Sequence, residues 1–403
     1  MKALAVAQRL NDMPVSAVRK LAGFAATAKK EGAKVFHLNI GNPDVKTPDV
    51  MIEVLHTWKE NPIGYAQSQG DPKFIESLLW YYHKLGHSFI KEEHIVSTVG
   101  GSEAIVMALF GICNAGDEVM VFEPFYSNYS SLAALTDVTF TAVPTTIESG
   151  FHLPAKEEIV KKITPKTKAI LFCSPGNPTG TVYTKQEMDM LVEIAKEHNL
   201  FLISDEVYRE YIFQGAPEHT SILSYMEQLP DRLIMLDSLS KRYSLCGARL
   251  GVFVSLNEEL MKGVVKIAQS RLSGGIIDQL VGAALTEVPD QYLKDVNAEY
   301  EKRRDTIYNG LTSIKGVTMA KPEGAFYSMV GLPVDDAEKF SIWLLEKYRS
   351  IDNETVMLAP GAGFYATPGR GVNEVRIAYV LNTDDLKICV EILKDALQKY
   401  NSM

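Results

Sequence analysis

The chain has 403 residues, 46% apolar and 23% charged, which is ordinary for a soluble globular protein and too long for one compact core, so two domains are expected. A formal net charge of -9 carries no basic footprint, which argues against nucleic acid or an anionic membrane as partner and favours a small-molecule substrate. Cys113, Cys173, Cys246 and Cys389 form no CxxC pair, MKALAVAQRLNDMP has too short an apolar run for a signal peptide, and no segment approaches the roughly 20 apolar residues of a membrane span; we therefore expect a cytoplasmic protein with no disulfide and no metal.

From about residue 70, short apolar runs alternate with helical segments: EEHIVSTVGG, DEVMVFEP, TKAILFCSPGNP, LFLISDEVY, RLIMLDSLS and ARLGVFVS. Each run is rich in Val, Ile, Leu, Phe and Met and is flanked by turn residues, the pattern of strands buried on both faces. Amphipathic stretches such as KQEMDMLVEIAKEHN, residues 185–199, lie between several of them. The alternation predicts an α/β domain, a mostly parallel sheet flanked by helices. After about residue 290 the character changes: DQYLKDVNAEYEKRRDTIYNGL reads as a long amphipathic helix, and GAFYSMV, VRIAYVL and LKICVEILKDALQKY mix strands with helices. The expected division is a large domain over 46–290 and a smaller α+β domain from 1–45 and 291–403.

Ligands bind beyond the carboxyl ends of such strands, so the polar residues after each run outline one site. Gly100-Gly101-Ser102 opens a helical pattern, where free N–H groups and a positive helix end suit a phosphate, although a GG pair is also an ordinary turn. Ser238 and Arg249 could complete that cradle. SPGNPTG, residues 174–180, is a turn whose Asn177 offers the only side-chain amide and whose prolines could be cis. Asp205 ends a buried run and is either a helix cap or the partner of a protonated pyridine nitrogen; Tyr208, three residues on, would share its side. Lys241 stands among small residues in SLSKRYSLCGARLG, residues 238–251. From position alone it reads as well as an exposed lysine, but an amine in a cleft can form a Schiff base with a carbonyl cofactor, which the neighbouring Arg242 cannot.

SLSKRYSLCGARLG resembles the lysine motif SxSKxxxxxGxRxG of pyridoxal phosphate (PLP)-dependent aminotransferases of fold type I, class I/II, the aspartate aminotransferase superfamily. LNIGNPD, YAQSQGDPKF, TVGGSEAI, EPFYSNY, SPGNPTG, SDEVY, PEGAFY and PGAGFY extend the likeness, in order, along almost the whole chain. The resemblance implies that Lys241 holds PLP and moves the proton from substrate Cα to cofactor C4′. It implies that Asp205 pairs with the pyridine nitrogen, that Asn177 and Tyr208 contact the phenolic oxygen, and that Tyr126 stacks on the ring. It assigns the phosphate to Gly101, Ser102, Ser238 and Arg249, with Tyr65 from a partner subunit of a homodimer. Arg376 would bind the α-carboxylate of amino acid and 2-oxo acid substrates, helped by Asn177 and the Gly41 backbone.

The side-chain pocket decides the amino donor. One branch of the family carries a lysine after the double glycine, where this chain has Ser102. Another uses an arginine donated across the dimer interface and followed by a glutamine; Arg271 with Gln279 matches that spacing, which makes Arg271 the expected ligand of a distal carboxylate. Aspartate and 2-oxoglutarate in a ping-pong exchange are then expected. Alanine, aromatic or other amino donors, or a C–S β-lyase using the same lysine, are the alternatives. A regulator with an aminotransferase-like domain is not favoured, because only about 37 residues precede LNIGNPD and the chain is acidic.

Overall fold

The computed structural model describes residues 4–403. In chain order the strands are β1 (Lys34–His37), β2 (Ile95–Val99), β3 (Glu118–Glu123), β4 (Thr139–Pro144), β5 (Thr167–Cys173), β6 (Phe201–Asp205), β7 (Leu233–Ser238), β8 (Leu250–Ser255), β9 (Thr318–Met319), β10 (Tyr327–Gly331), β11 (Glu354–Met357), β12 (Ala359–Pro360) and β13 (Glu374–Ala378).

The seven strands β2 to β8 form one sheet in the order β2-β8-β7-β6-β5-β3-β4. All pairs are parallel except the two made by β8, which runs against both β7 and β2. The period-2 alternation of the strands sends their apolar residues to two cores. Met120, Ile170, Leu202 and Met235 pack with Phe74, Met188 and Leu191 on one face, while Val119, Leu171, Ile203 and Leu236 pack with Met107, Leu260 and Val264 on the other. Every residue of β7 and β8 is buried, which is why these strands read as unbroken apolar runs. The six runs singled out in the sequence are β2, β3, β5, β6, β7 and β8. Strand β4, TFTAVP, was not among them: it lies at the sheet edge, mostly half-exposed, and its threonines blur the apolar signal.

The C-terminal part builds a four-stranded antiparallel sheet, β12-β13-β10-β9, and β1 pairs in parallel with β11. The long helix Asp290–Thr312 buries Val296, Tyr300, Ile307 and Leu311, a helical stripe in an otherwise charged sequence. That stripe joins Phe340, Tyr379, Leu386 and Leu393 in a separate core. Among the described residues no helix is long and apolar enough to cross a membrane, and all four cysteines are free thiols.

A small bracket ties the C-terminal part to the loop after β5. Gly180, at φ +74°, accepts hydrogen bonds from Glu323 N (2.9 Å) and Gly324 N (2.8 Å), and a β-carbon there would strike Pro322 and the Tyr327 carbonyl. His152 spans the same junction, donating to Glu187 Oε2 (2.9 Å) and to Glu323 Oε1 (3.3 Å). Glu187 is meanwhile the return partner of Thr184 in the capping box of the helix Lys185–Glu197. The bonds to Glu187 and then to Glu323 outweigh burial and push the His152 imidazole up to about 10. A pKa raised on folding stabilises below the unfolded value of about 6.5 and ceases to do so as pH climbs through the folded value. His152→Gln is therefore expected to lower stability by about 1 kcal/mol at pH 6, less for partial exposure of the ring, with the loss fading toward pH 10; thermal melts at the two pH values check it.

Candidate active site

A cleft of about 890 Å³ opens where β2, β5, β6 and β7 end and the C-terminal part closes over them. It is lined by Gly41, Gly101, Ser102, Tyr126, Asn177, Asp205, Tyr208, Ser238, Lys241, Arg249 and Arg376, so eleven of the thirteen expected site residues meet in one place.

At one end of the cleft β2 turns through Gly100, at φ +71°, into the helix Gly100–Ile112. A β-carbon on Gly100 would collide with the Arg249 guanidinium, so glycine here permits the side chain to lie against the helix N-terminus. Arg249 itself adopts φ +55°, donates to the Cys246 carbonyl at 3.0 Å, and has no carboxylate partner among the described residues. Ser238 caps the turn Leu239–Arg242 by accepting from Ser240 N (3.1 Å), and its hydroxyl donates to Leu250 O (2.7 Å). Helix N–H groups, an uncommitted guanidinium and hydroxyls make a donor set suited to a phosphate.

That same turn carries Lys241 into the cleft. Its Nζ donates to the Gly41 carbonyl at 2.8 Å and lies 3.6 Å from Cys246 Sγ. Burial opposes its charge, but Tyr327, Cys246 and Tyr126 around it outweigh that and raise its pKa above the ordinary lysine value. The next residue, Arg242, is fully buried, and its Nη2 donates to both carboxylate oxygens of Asp237 at 2.7 Å, which anchors the turn from behind. Tyr211 donates to the Lys241 carbonyl at 2.6 Å and fixes its backbone.

Asp205 ends β6 in a buried position. Burial pushes its carboxyl up to about 6, partly offset by a 2.6 Å bond from the Tyr129 hydroxyl and a longer one from Val207 N. Among the described residues no cationic side chain pairs with it. A buried carboxylate without a counter-charge, at the floor of a cleft, fits a protonated ring nitrogen. Tyr208 is buried and donates to Tyr327 Oη at 3.1 Å, while Tyr126 lies edge-on to Tyr129, with ring centroids 5.4 Å apart. Pro175 and Pro178, which bound the Asn177 turn, both follow cis peptide bonds.

Arg376 enters from the opposite wall, on β13. It is 2% exposed, donates to Asn177 Oδ1 at 3.1 Å and to the Asn39 carbonyl, and sits over the rings of Tyr327 and Phe364. Among the described residues it has no carboxylate partner, and its Nε is buried with no hydrogen-bond acceptor. Burial accordingly pulls its pKa below the usual arginine value. A guanidinium held this way is incomplete without an anion, and a carboxylate matches its fork. Gly41 is required here by contact, because a β-carbon would collide with the Tyr327 phenol.

Two expected residues lie outside this cleft. Tyr65 is 86% exposed on the loop before the helix Pro72–Lys84. The expectations for it and for Arg271 both concern the cleft of a partner subunit. Within its own chain Arg271 is tied down: Nε meets Glu103 at 2.9 Å and Nη2 donates to the Ser97 carbonyl at 2.6 Å. Conversely, sequence reasoning missed Tyr129, Tyr327 and Arg19, which the fold brings to or beside the cleft. Tyr129 had a signal: in FYSNY it stands three residues after Tyr126, one helical turn away. Among the described residues no cluster of three or more His, Cys, Asp or Glu could hold a metal ion.

The family model for aminotransferases of class I and II matches residues 33–393. The chain is 30% identical over 398 residues to an aspartate aminotransferase of Thermotoga maritima, covering 97% of this chain and 99% of that protein. It is 27% identical over 390 residues to one from a Bacillus species, with 96% and 97% covered. Among solved structures, a mutant aspartate aminotransferase of Thermus thermophilus superposes with a TM-score of 0.88 at 28% identity, covering 98% of this chain and 100% of that one. An alanine aminotransferase of Pyrococcus furiosus also gives 0.88, at 27% identity and with 98% of this chain covered.

Proposed function

The chain belongs to the class I and II aminotransferases, a PLP-dependent family, and on that premise we propose that it transfers the amino group of L-aspartate to 2-oxoglutarate by a ping-pong mechanism. The observation that carries the reading is Arg376, a buried guanidinium lacking an anion, facing the same cleft as Lys241. The names borne by the relatives support aspartate as donor.

When bound, PLP supplies an aldehyde and an electron-accepting ring. Lys241 would hold PLP through its aldehyde, and its Nζ is the base that would take the proton from substrate Cα. Asp205 keeps the ring nitrogen protonated, and the Tyr129 hydroxyl keeps that carboxylate ionised and aimed. Arg249, Ser238 and the backbone at Gly101 and Ser102 hold the phosphate, with Tyr65 reaching the partner's site. Asn177 and Tyr208 donate to the phenolic oxygen, and Tyr126 covers a ring face. Arg376, with Asn177 and the Gly41 backbone, orients the α-carboxylate so that the Cα–H bond faces Lys241. Both half-reactions use this one set of residues in turn, the first keto acid leaving before the second binds, which is the order of a ping-pong exchange.

A cytoplasmic homodimer is part of the proposal, supported by the free thiols and by the exposed apolar side chains of Ile63, Tyr65, Val99 and Leu272. So is the division into 46–290 and 1–45 with 291–403, supported by the two cores that flank the seven-stranded sheet within 46–290 and by a third drawn mainly from the C-terminal part, which Tyr208, Tyr211 and Phe213 join from the large one. Initial rates of the PLP-loaded protein with aspartate and 2-oxoglutarate are expected to give parallel double-reciprocal lines with oxaloacetate as product. Pyruvate release from cystathionine without any keto acid, and no amino transfer, would point instead to a C–S lyase.

A further inference from the structure

We infer that Arg19 receives the distal carboxylate of the substrate and thereby makes this cleft specific for dicarboxylic amino acids; the inference rests on the aminotransferase reading above. Among the described residues four cationic side chains line the cleft, Arg19, Lys241, Arg249 and Arg376, against one carboxylate, Asp205. In the proposed reaction Lys241 is taken by the aldehyde, Arg249 by the phosphate and Arg376 by the α-carboxylate. Arg19 is the remaining charge. Among the described residues its side chain makes no hydrogen bond or ion pair, whereas its neighbour Lys20 is paired with Glu338.

The backbone that presents Arg19 is fastened to the α-carboxylate subsite. The Val18 carbonyl accepts from Asn39 Nδ2 at 2.8 Å, and the Asn39 carbonyl in turn accepts from Arg376. Ala17 is buried against Phe364, and Gly363 has no room for a β-carbon because Ala17 fills the space. The segment that carries Arg19 is thus tied through Asn39 to the residue that would hold the α-carboxylate, and both arginines line one cleft. The nearby cleft residues Ser16, Asn128 and Ser131 are polar but neutral. Ser102 brings no charge, and the Arg271 charge is balanced by Glu103. A second carboxylate brought into this cleft needs a counter-charge, and the planar fork of arginine matches it.

The test compares wild type, Arg19→Met, Arg19→Lys and Arg271→Met as PLP-loaded full-length proteins. Two quantities are read: the ratio of kcat/KM for aspartate over alanine in the amino-donor half-reaction, and the Kd of succinate, an unreactive dicarboxylate, by calorimetry. Arg19→Met is expected to lower the ratio by about 10- to 100-fold and to raise the succinate Kd by about 10-fold or more, the loss of a charge-assisted pair. Arg19→Lys should fall between, since the charge remains and the fork is lost. An equal fall for aspartate and alanine, or no change in ratio and Kd, overturns the inference. So does a change confined to Arg271→Met, which assigns the role to that residue across an interface. If wild type transfers an amino group from no donor, the aminotransferase reading fails and this inference with it; if wild type is active and only the Arg19 variants are silent, the inference alone falls.

Discussion

Lys241→Ala is expected to abolish the visible absorbance of the lysine-bound cofactor and to lower transamination by about 10⁴-fold, because in the proposed reaction one amine both anchors the aldehyde and carries the Cα proton. The substitution should leave the fold intact. The turn beneath Lys241 is held by the Ser238 cap, by the Arg242–Asp237 ion pair and by the Tyr211 bond to the Lys241 carbonyl, none of which uses the lysine side chain. What the variant loses inside the protein is one bond to the Gly41 carbonyl and a contact with Cys246. Absorbance spectra, single-turnover rates and a thermal melt on the same preparation separate loss of chemistry from loss of structure. Full activity in Lys241→Ala would remove the lysine from its role.

Asp205→Asn gives the second large effect, a fall in kcat of about 10²- to 10³-fold, the size expected when one preorganised electrostatic group is lost in a water-excluded site. The amide keeps the shape and the Tyr129 hydrogen bond but cannot carry the charge that keeps a ring nitrogen protonated. Without PLP the aspartate is a strained group, buried with no cation and pushed up to about 6. Loading should therefore be tighter above that pH in wild type, and this pH dependence should vanish in the asparagine variant. Tyr129→Phe, which deletes only the 2.6 Å bond to Asp205, should produce a smaller loss in the same direction. A wild-type rate in Asp205→Asn would mean that the carboxylate is merely a structural cap.

Much of the large sheet was legible because its strands are covered on both faces, so their sequences are continuous apolar runs with turns at either end. The edge strand β4 was not, since half of it faces solvent and its residues need satisfy only one side. Site residues at strand ends, such as Asp205, Ser238 and Lys241, could be grouped because a parallel sheet collects its carboxyl ends in one row. Residues that arrive by other routes could not. Tyr327 and Arg19 sit on segments whose distance from Lys241 along the chain says nothing of their distance in space, and Arg19 lies in a stretch with no strand or helix pattern strong enough to place it.

The sequence by itself determined the class of chemistry: local patterning dictates where strands end, and the residues at those ends, matched to one ordered set of motifs, admit few reactions. Which charges remain free was decided only by the tertiary structure. Arg242, Arg249, Arg271, Arg376 and Arg19 are the same residue type in the sequence, and each guanidinium is defined by what folds against it. Arg242 is closed by Asp237 and Arg271 by Glu103, while among the described residues Arg376 and Arg249 face the cleft without a carboxylate and Arg19 stands at its rim unpaired. Charge pairing acts through space over a few ångströms, and the chain order does not encode those distances until the two sheets have packed.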